Sequence, residues 1–334
     1  MYKIEEVSNI TANEFITDVL PAGKPLVLRG LVNDWPIVKA AKSSNEAFCN
    51  YLKRFDRGDE LNTVFASASI QGRFFYNQDM SGMNFRSEKK SLASSLDFLL
   101  KNSGNDPTPP LAIQSVNISK YLPGMEKENY LNSISENVSP RIWIGNKSVV
   151  AAHYDVAENI ACCVAGKRLF TLFPSAQIKN LYVGPFEFTP SGVSVSMVDF
   201  DKPDYEKFPE FKNAEANSYQ AELYPGDAIY IPYLWWHHVR ALEPLNALVN
   251  YWWTDPAPIF GEPSDAMQHA LLALKNLSPA QKNAWKALFD FYVFTESDEP
   301  PSYIPQERQG ILGKLDADKI QVLKSTLLKS LNRI

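Results

Sequence analysis

Three side chains able to bind a transition metal stand in two short segments of the chain. His153-Tyr-Asp155 supplies an imidazole and a carboxylate, and Trp235-Trp-His237-His238 supplies a second imidazole 84 residues after the first. Two imidazoles and one carboxylate form the facial triad that holds non-haem iron(II) and leaves coordination positions open for oxygen chemistry. A His-x-Asp by itself is common, and a histidine in an apolar strand is more often a core residue with one satisfied hydrogen bond. The chain has only four histidines, however, and three of them fall in these two segments.

The elements that must position these groups read as strands. Residues two apart on a strand project from one face, so His153 and Asp155 are expected to point at one spot while Tyr154 faces away. Ile160-Ala-Cys-Cys-Val164 is an apolar run closed by Ala165-Gly166, and Leu169-Phe-Thr-Leu-Phe173 resumes until Pro174, which predicts two strands joined at a glycine turn. Pro225-Gly-Asp227 predicts a further turn, followed by β-prone Ala228-Ile-Tyr-Ile231 and, beyond Pro232, by Trp235 and His237. Strand neighbours face opposite ways, so only one of His237 and His238 reaches a metal.

His153-Tyr-Asp155, Gly166-Lys-Arg168, Leu172-Phe-Pro174, Pro225-Gly-Asp227, Trp235-Trp-His237 and Asn250-Tyr-Trp252 resemble the cupin-like branch of the JmjC-type 2-oxoglutarate oxygenases. Pro25-Leu-Val-Leu-Arg-Gly30 and Asp34-Trp-Pro36 match the usual entry of that family, so the resemblance covers roughly residues 10–255. Within the branch the chain is most similar to the subgroup around the asparaginyl hydroxylase that acts on hypoxia-inducible factor, above all over residues 198–209. The resemblance implies a mainly β chain with flanking helices, folded as a double-stranded β-helix, the cupin or jelly-roll barrel. It implies iron(II) held by His153, Asp155 and His237, the last because the family's ligand directly follows the tryptophan pair. His238 would then lie on the outer face or hydrogen-bond behind the ligands.

The same resemblance implies 2-oxoglutarate as cosubstrate. The family places a lysine for the far carboxylate fifteen residues after the first histidine, and Arg168 stands there; arginine preserves the role through a bidentate, charge-assisted pair. Lys167 would face the other way on a regular strand. Asn159 and Asn250 align with asparagines near the metal, where they either orient cosubstrate or water or merely tie backbone at strand ends. Trp252 either walls the pocket or fills the barrel. Ser194-Val195 stands where the asparaginyl hydroxylase grips its peptide with Arg-Gln, so a different target is implied. The implied reaction is oxidative decarboxylation of 2-oxoglutarate to succinate coupled to hydroxylation of a C–H bond. Two other readings stay open: a cupin-fold metal enzyme that uses no 2-oxoglutarate, and a non-catalytic binding or sensor module.

Composition bounds the rest. With 334 residues, 45% hydrophobic and 21% charged, the chain can bury a large core. A catalytic domain over 1–258 and a helical segment over 259–334 fit that length. A net charge of −5 provides no basic stripe for a phosphate backbone, which disfavours a nucleic-acid substrate and leaves a protein or a small molecule. Cys49, Cys162 and Cys163 do not suggest a disulfide framework, and the adjacent pair, in an apolar run, reads as small buried hydrophobes in a reducing cytoplasm. Met1-Tyr-Lys-Ile-Glu-Glu6 is charged where a signal peptide needs an apolar core, and no 18-residue apolar stretch follows, so the cytoplasm is expected and no membrane partner.

Helices are expected around the barrel. Thr11-Ala-Asn-Glu14 is a capping box that opens one, ended by Pro21-Ala-Gly23 before a strand at 26–28. Residues 40–56 and 91–102 read as two more, and 103–110 as a loop beside the active-site mouth. After Asp255-Pro-Ala-Pro258 the pattern turns helical. Ser264 is expected to cap one helix, Ser278-Pro279 to open another, and residues 316–331 to form a third with Ile320, Leu323, Leu327 and Leu331 at helical spacing. Such a stripe usually docks on the barrel, whereas the resemblance implies C-terminal helices that build a homodimer. His269, in a helical run, reads as a plain surface or interface residue.

Overall fold

The computed structural model describes residues 1–105, 107–131, 138–254, 261–295 and 301–332. Its first strands are β1 (Tyr2–Lys3), β2 (Glu5–Ser8), β3 (Leu26–Arg29), β4 (Glu60–Phe65), β5 (Arg86–Ser91), β6 (Leu111–Asn117) and β7 (Arg141–Gly145). They are followed by β8 (Ser148–His153), β9 (Glu158–Ala165), β10 (Arg168–Phe173), β11 (Tyr219–Leu223), β12 (Ala228–Ile231), β13 (Trp236–Ala241) and β14 (Asn246–Trp253). One sheet runs β1-β11-β10-β13-β8 and the other β2-β3-β12-β9-β14-β7-β6-β4-β5, the two layers of a jelly roll.

The apolar run in β9 shows why the layers hold together. Alternate residues of a strand point to opposite faces. Ala161 and Cys163 pack with Phe170, Leu172, Ile229, Val239 and Leu248 from both sheets, which is the barrel interior. Ile160, Cys162 and Val164 turn outward and join Phe48, Leu52, Leu92 and Leu96 of the covering helices. Both faces are dry, so the strand reads as continuous hydrophobicity rather than alternation. Each large side chain so buried contributes roughly 1.5–3 kcal/mol.

β9 and β10 do join at a glycine turn, but they belong to different sheets, so the turn crosses between layers instead of closing a hairpin. Gly166 adopts φ +69°, and a Cβ there would overlap the Asn246 side chain and the Leu245 carbonyl. That combination of backbone and crowding admits only glycine. The Pro225-Gly-Asp227 turn precedes β12 as its residues predict. There the Asp227 carboxylate accepts from the amides of Gly30 and Tyr224 and pairs with Arg29.

Thr11 and Glu14 form the capping box, with Glu14 N donating to Thr11 Oγ1 (3.2 Å) and Thr11 N to Glu14 Oε2 (2.8 Å). The chain stays helical through a π turn at Phe15–Val19 and stops at Gly23, φ +56°. The stretch expected as one helix over 40–56 is two, Pro36–Ser43 and Asn45–Lys53. Ser44 is extended, and its hydroxyl accepts from Ala47 N (3.0 Å), so it starts the second helix. The helix expected over 91–102 spans Leu92–Lys101.

Contacts divide the chain into two compact units, Met1–Thr254 and Asp255–Ile334. The junction expected at Pro258 lies outside the described residues. The second unit holds helices Pro263–Leu274, Pro279–Tyr292 and Ala317–Leu331. Ser264 is not a cap: Pro263 occupies the first turn, so the helix starts earlier, and Glu262 precedes it with no side-chain bond. Ser278 and Asp316 do cap their helices, accepting from Gln281 N (3.3 Å) and Lys319 N (2.9 Å). None of these three helices buries a residue, and along the last one Ile320 and Leu323 are half-buried while Leu327 and Leu331 are exposed. No helix among the described residues is long and apolar enough to cross a membrane.

Candidate metal centre

His153 closes β8 and His237 lies near the start of β13, directly opposite it in the antiparallel register. Further along, Val239 pairs with Val150, so three steps of β8 match two of β13. This β-bulge reverses the alternation of β8, and Ser148, Val150 and His153 all line one cavity although 150 and 153 differ by an odd number. Asp155 does not share the strand face expected for it. It sits two residues past the end of β8, in the turn toward β9. Its carbonyl accepts from Leu234 N (3.1 Å), which ties this turn to the one before His237. Leu234 itself is held at φ +60°, a conformation that costs a non-glycine residue about 1–3 kcal/mol.

The three groups converge. One ligand atom from each of His153, Asp155 and His237 lies within 4.8 Å of the others, and His237 Nε2 is 3.5 Å from Asp155 Oδ2. His153 Nδ1 donates to Ala151 O (3.0 Å) and His237 Nδ1 to Trp235 O (3.1 Å). Carbonyls only accept, so each Nδ1 carries a proton and each Nε2 is the nitrogen left to bind a metal. Burial, then the neighbouring His153, pushes the His237 pKa below the usual imidazole value, which favours the neutral ring. Two imidazole lone pairs and a carboxylate facing one point repel unless a cation lies between them, and this donor set suits a divalent transition metal.

The carboxylate is held from behind. Trp252 Nε1 donates to Asp155 Oδ2 (3.1 Å), Asn159 Nδ2 donates to the same oxygen (3.2 Å), and Asn250 Nδ2 donates to Asn159 Oδ1 (2.9 Å). All three of these residues line the cavity wall, with those donors directed at Asp155 and at one another.

That cavity measures about 490 Å³ and has Arg168 in its wall. Along β10, Leu172 is level with His237 and Arg168 with Ala241, so four residues, about 13 Å of strand, separate the two rows. The guanidinium is buried, its Nε has no hydrogen-bond partner, and no ion pair compensates it among the described residues. Burial pushes its pKa down to about 10. An uncompensated buried cation of this kind fits an anionic ligand. Lys167 faces the other way and pairs with Glu222 (3.2 Å).

His238 points away from the triad and is buried, not surface-exposed, stacked on Phe200 at 4.6 Å. Burial pushes it down to about 3. His269 is exposed on its helix. Ser194 and Val195 are buried, the serine donating to Pro185 O (3.0 Å), so they hold a loop together. No described residue of the segment 103–110 lines the cavity, but Pro109 O and Leu111 N are held by the Asn146 side chain (both 2.9 Å), and Asn146 does line it. Residues 190–193 also line the cavity. Gln114, Ser115, Trp143 and Ser148 also line it, unnoticed in the sequence. The polar pair Gln114-Ser115 inside the apolar run of β6 was the available signal.

Residues 12–258 match the model of the cupin-like domain. The chain belongs to the cupin-like family. The match is to the family as a whole. Among its relatives, this cupin-like chain is similar to tRNA wybutosine-synthesizing protein 5 of Gallus gallus, 25% identical over 276 residues that make up 77% of this chain and 79% of that protein. It is 26% identical to JmjC domain-containing protein D of Dictyostelium discoideum over 69% of this chain and 52% of that one. It is 28% identical to lysine-specific demethylase 8 of Xenopus tropicalis over 69% of this chain and 48% of the relative. The cupin-like chain thus spans about half the length of the last two.

Proposed function

We propose that the protein is an iron(II)- and 2-oxoglutarate-dependent dioxygenase that hydroxylates a protein side chain or a small molecule. The observation that carries this reading is the pairing, in one cavity, of a His-Asp-His acceptor set with an uncompensated buried arginine. His153, Asp155 and His237 would hold the metal, and Arg168 would take the far carboxylate of the oxo acid. When bound, the iron couples oxidative decarboxylation of that acid to oxidation of a substrate C–H bond. The chain's own share is positional. Trp252 and Asn159 fix the Asp155 carboxylate, Asn250 fixes Asn159, and Trp143 with residues 190–193 walls the cavity against water. A metal enzyme that used no oxo acid would leave Arg168 without a counter-charge.

The substrate falls among proteins and small molecules rather than nucleic acids, because the net charge is −5 and Arg168 is the only cation lining the cavity among the described residues. The relatives named for tRNA and for lysine make both substrate classes direct comparisons for assay. Buried free cysteines support a cytoplasmic setting. The C-terminal helices, which bury none of their own residues, serve to pair the chain with a second copy. The central test is succinate formation from 2-oxoglutarate with iron(II), comparing the protein with Asp155→Ala. The variant is expected to lose turnover, and equal turnover in both would sink the reading.

A further inference from the structure

Strand β6 puts two polar side chains where the alternation of a regular strand allows one. Ile113 pairs with Ile144 and Val116 with Ile142, so Gln114 and Ser115 together face the single residue Trp143 of β7, a β-bulge. Ile113 and Val116 turn outward to the core beneath the covering helices, while Gln114, Ser115 and Trp143 all line the cavity. Ser115 is held at φ +52°, and Arg141 Nη1 fastens it there by donating to its carbonyl (3.0 Å) and hydroxyl (3.2 Å). Such a backbone is costly for any residue with a side chain, and it persists where the surroundings fix it, most often at a binding site. What the bulge delivers to the cavity is polar and unspent. The Gln114 carboxamide and the Trp143 indole N–H make no hydrogen bond among the described residues, and both side chains are only half-buried, within reach of a ligand. The Ser115 hydroxyl accepts from Arg141 and keeps its proton to donate.

The bulge stands apart from the oxo-acid end of the cavity. Arg168 lies on β10 in the five-stranded sheet, whereas β6 and β7 belong to the nine-stranded one. Trp143 meets Trp252 edge to face at 6.0 Å, and Trp252 donates to Asp155, so two rings connect the bulge to the metal ligands. We propose that Gln114 recognises the main chain of an extended peptide substrate, accepting its N–H on Oε1 and donating from Nε2 to its C=O. In an extended chain the N–H and C=O of one residue point to the same side, and a carboxamide offers the complementary pair. Trp143 and Ser115 add donors alongside, suited to a further carbonyl. Main-chain recognition holds a peptide without reading its side chains. The inference rests on the proposed function in taking this cavity as the substrate's, and it narrows that substrate to a protein.

The test compares three probes on the full-length protein: N-acetylalanine N-methylamide, its ester analogue in which oxygen replaces the alanine N–H, and acetamide. Binding is followed through the indole N–H resonance of Trp143. The capped alanine is expected to bind about fivefold more tightly than the ester, the worth of one net hydrogen bond. It should also bind more tightly than acetamide, which has both groups but no extended chain. Gln114→Met, of similar length and without a strong donor or acceptor, should erase the preference over the ester while the other tryptophan resonances stay in place. Arg141→Met, which keeps Gln114 but releases the bulge, should shrink it. Equal affinity for the capped alanine and the ester in the unaltered protein overturns the proposal, as does a preference that survives in Gln114→Met. Acetamide bound as tightly as the capped alanine would assign Gln114 to a small amide and overturn it too. The preference without succinate formation would fail the oxygenase reading alone, and succinate formation without the preference would fail this one alone.

Discussion

His153 and His237 stand opposite each other across the β8–β13 ladder with ring centroids 4.2 Å apart, at the rung beside a β-bulge. Two imidazoles at that spacing, with a carboxylate oxygen 3.5 Å from one of them, form a donor set that suits a cation.

Support behind the carboxylate should govern metal affinity. Trp252→Phe keeps the ring in the cavity wall and deletes one of two donors on Asp155 Oδ2. Iron(II) affinity, measured by competition with a chelator, is expected to fall about 10–100-fold with the fold intact. Unchanged affinity would show that Asn159 alone orients the group.

Arg168→Met should act with opposite signs on two measurements. Removing a buried cation that nothing compensates is expected to raise the melting temperature of the ligand-free protein. The same change should weaken 2-oxoglutarate binding by about 1.5–3 kcal/mol, the worth of a hydrogen bond to a charged group. Thermal melts with and without the oxo acid report both effects, and an unaltered ligand-induced shift would remove Arg168 from the site.

His238 should make stability depend on pH. Burial against Phe200 lowers its folded pKa from 6.5 to about 3, so the unfolded chain takes up a proton first as the solution is acidified. Its contribution is full above about pH 6.5 and is lost as pH falls toward 3. At pH 5 the loss is about 2 kcal/mol, the 1.5 units below 6.5 converted at about 1.4 kcal/mol per unit. His238→Phe is expected to reduce the fall in melting temperature between pH 7 and pH 5. An identical fall in both proteins would mean that His238 is protonated without cost.

The second unit should control oligomeric state. Leu327 and Leu331 are exposed one turn apart on the last helix, and Phe291 is exposed near the end of the helix Pro279–Tyr292 with Phe294 exposed just beyond it. Charged residues in place of such groups disfavour an apolar interface. Sedimentation of the full-length chain is expected to give a dimer, and the double substitution Leu327→Glu, Leu331→Glu a monomer. A monomeric parent protein would reject pairing through these helices.

Much was legible in the sequence because it is local. Apolar runs and a glycine turn announced β9 and β10, Thr11 and Glu14 announced their helix, and Ser278 with Pro279 announced another. The kinds of side chain that can bind a transition metal are likewise a property of the sequence, as is the odd arginine at 168. Only the tertiary structure decided how they meet. The bulge in β8 breaks the period of two, so no alternation pattern could place His153 beside Val150 and Ser148. Asp155 reaches the centre from a turn held by Leu234, a contact between segments far apart in the chain. The same holds for the amide chain through Asn159 and Asn250, whose polarity is dictated by a carboxylate on a neighbouring element. Residue types and local periodicity are written along the chain, whereas register shifts, burial and unmet hydrogen bonds exist only once distant strands have packed.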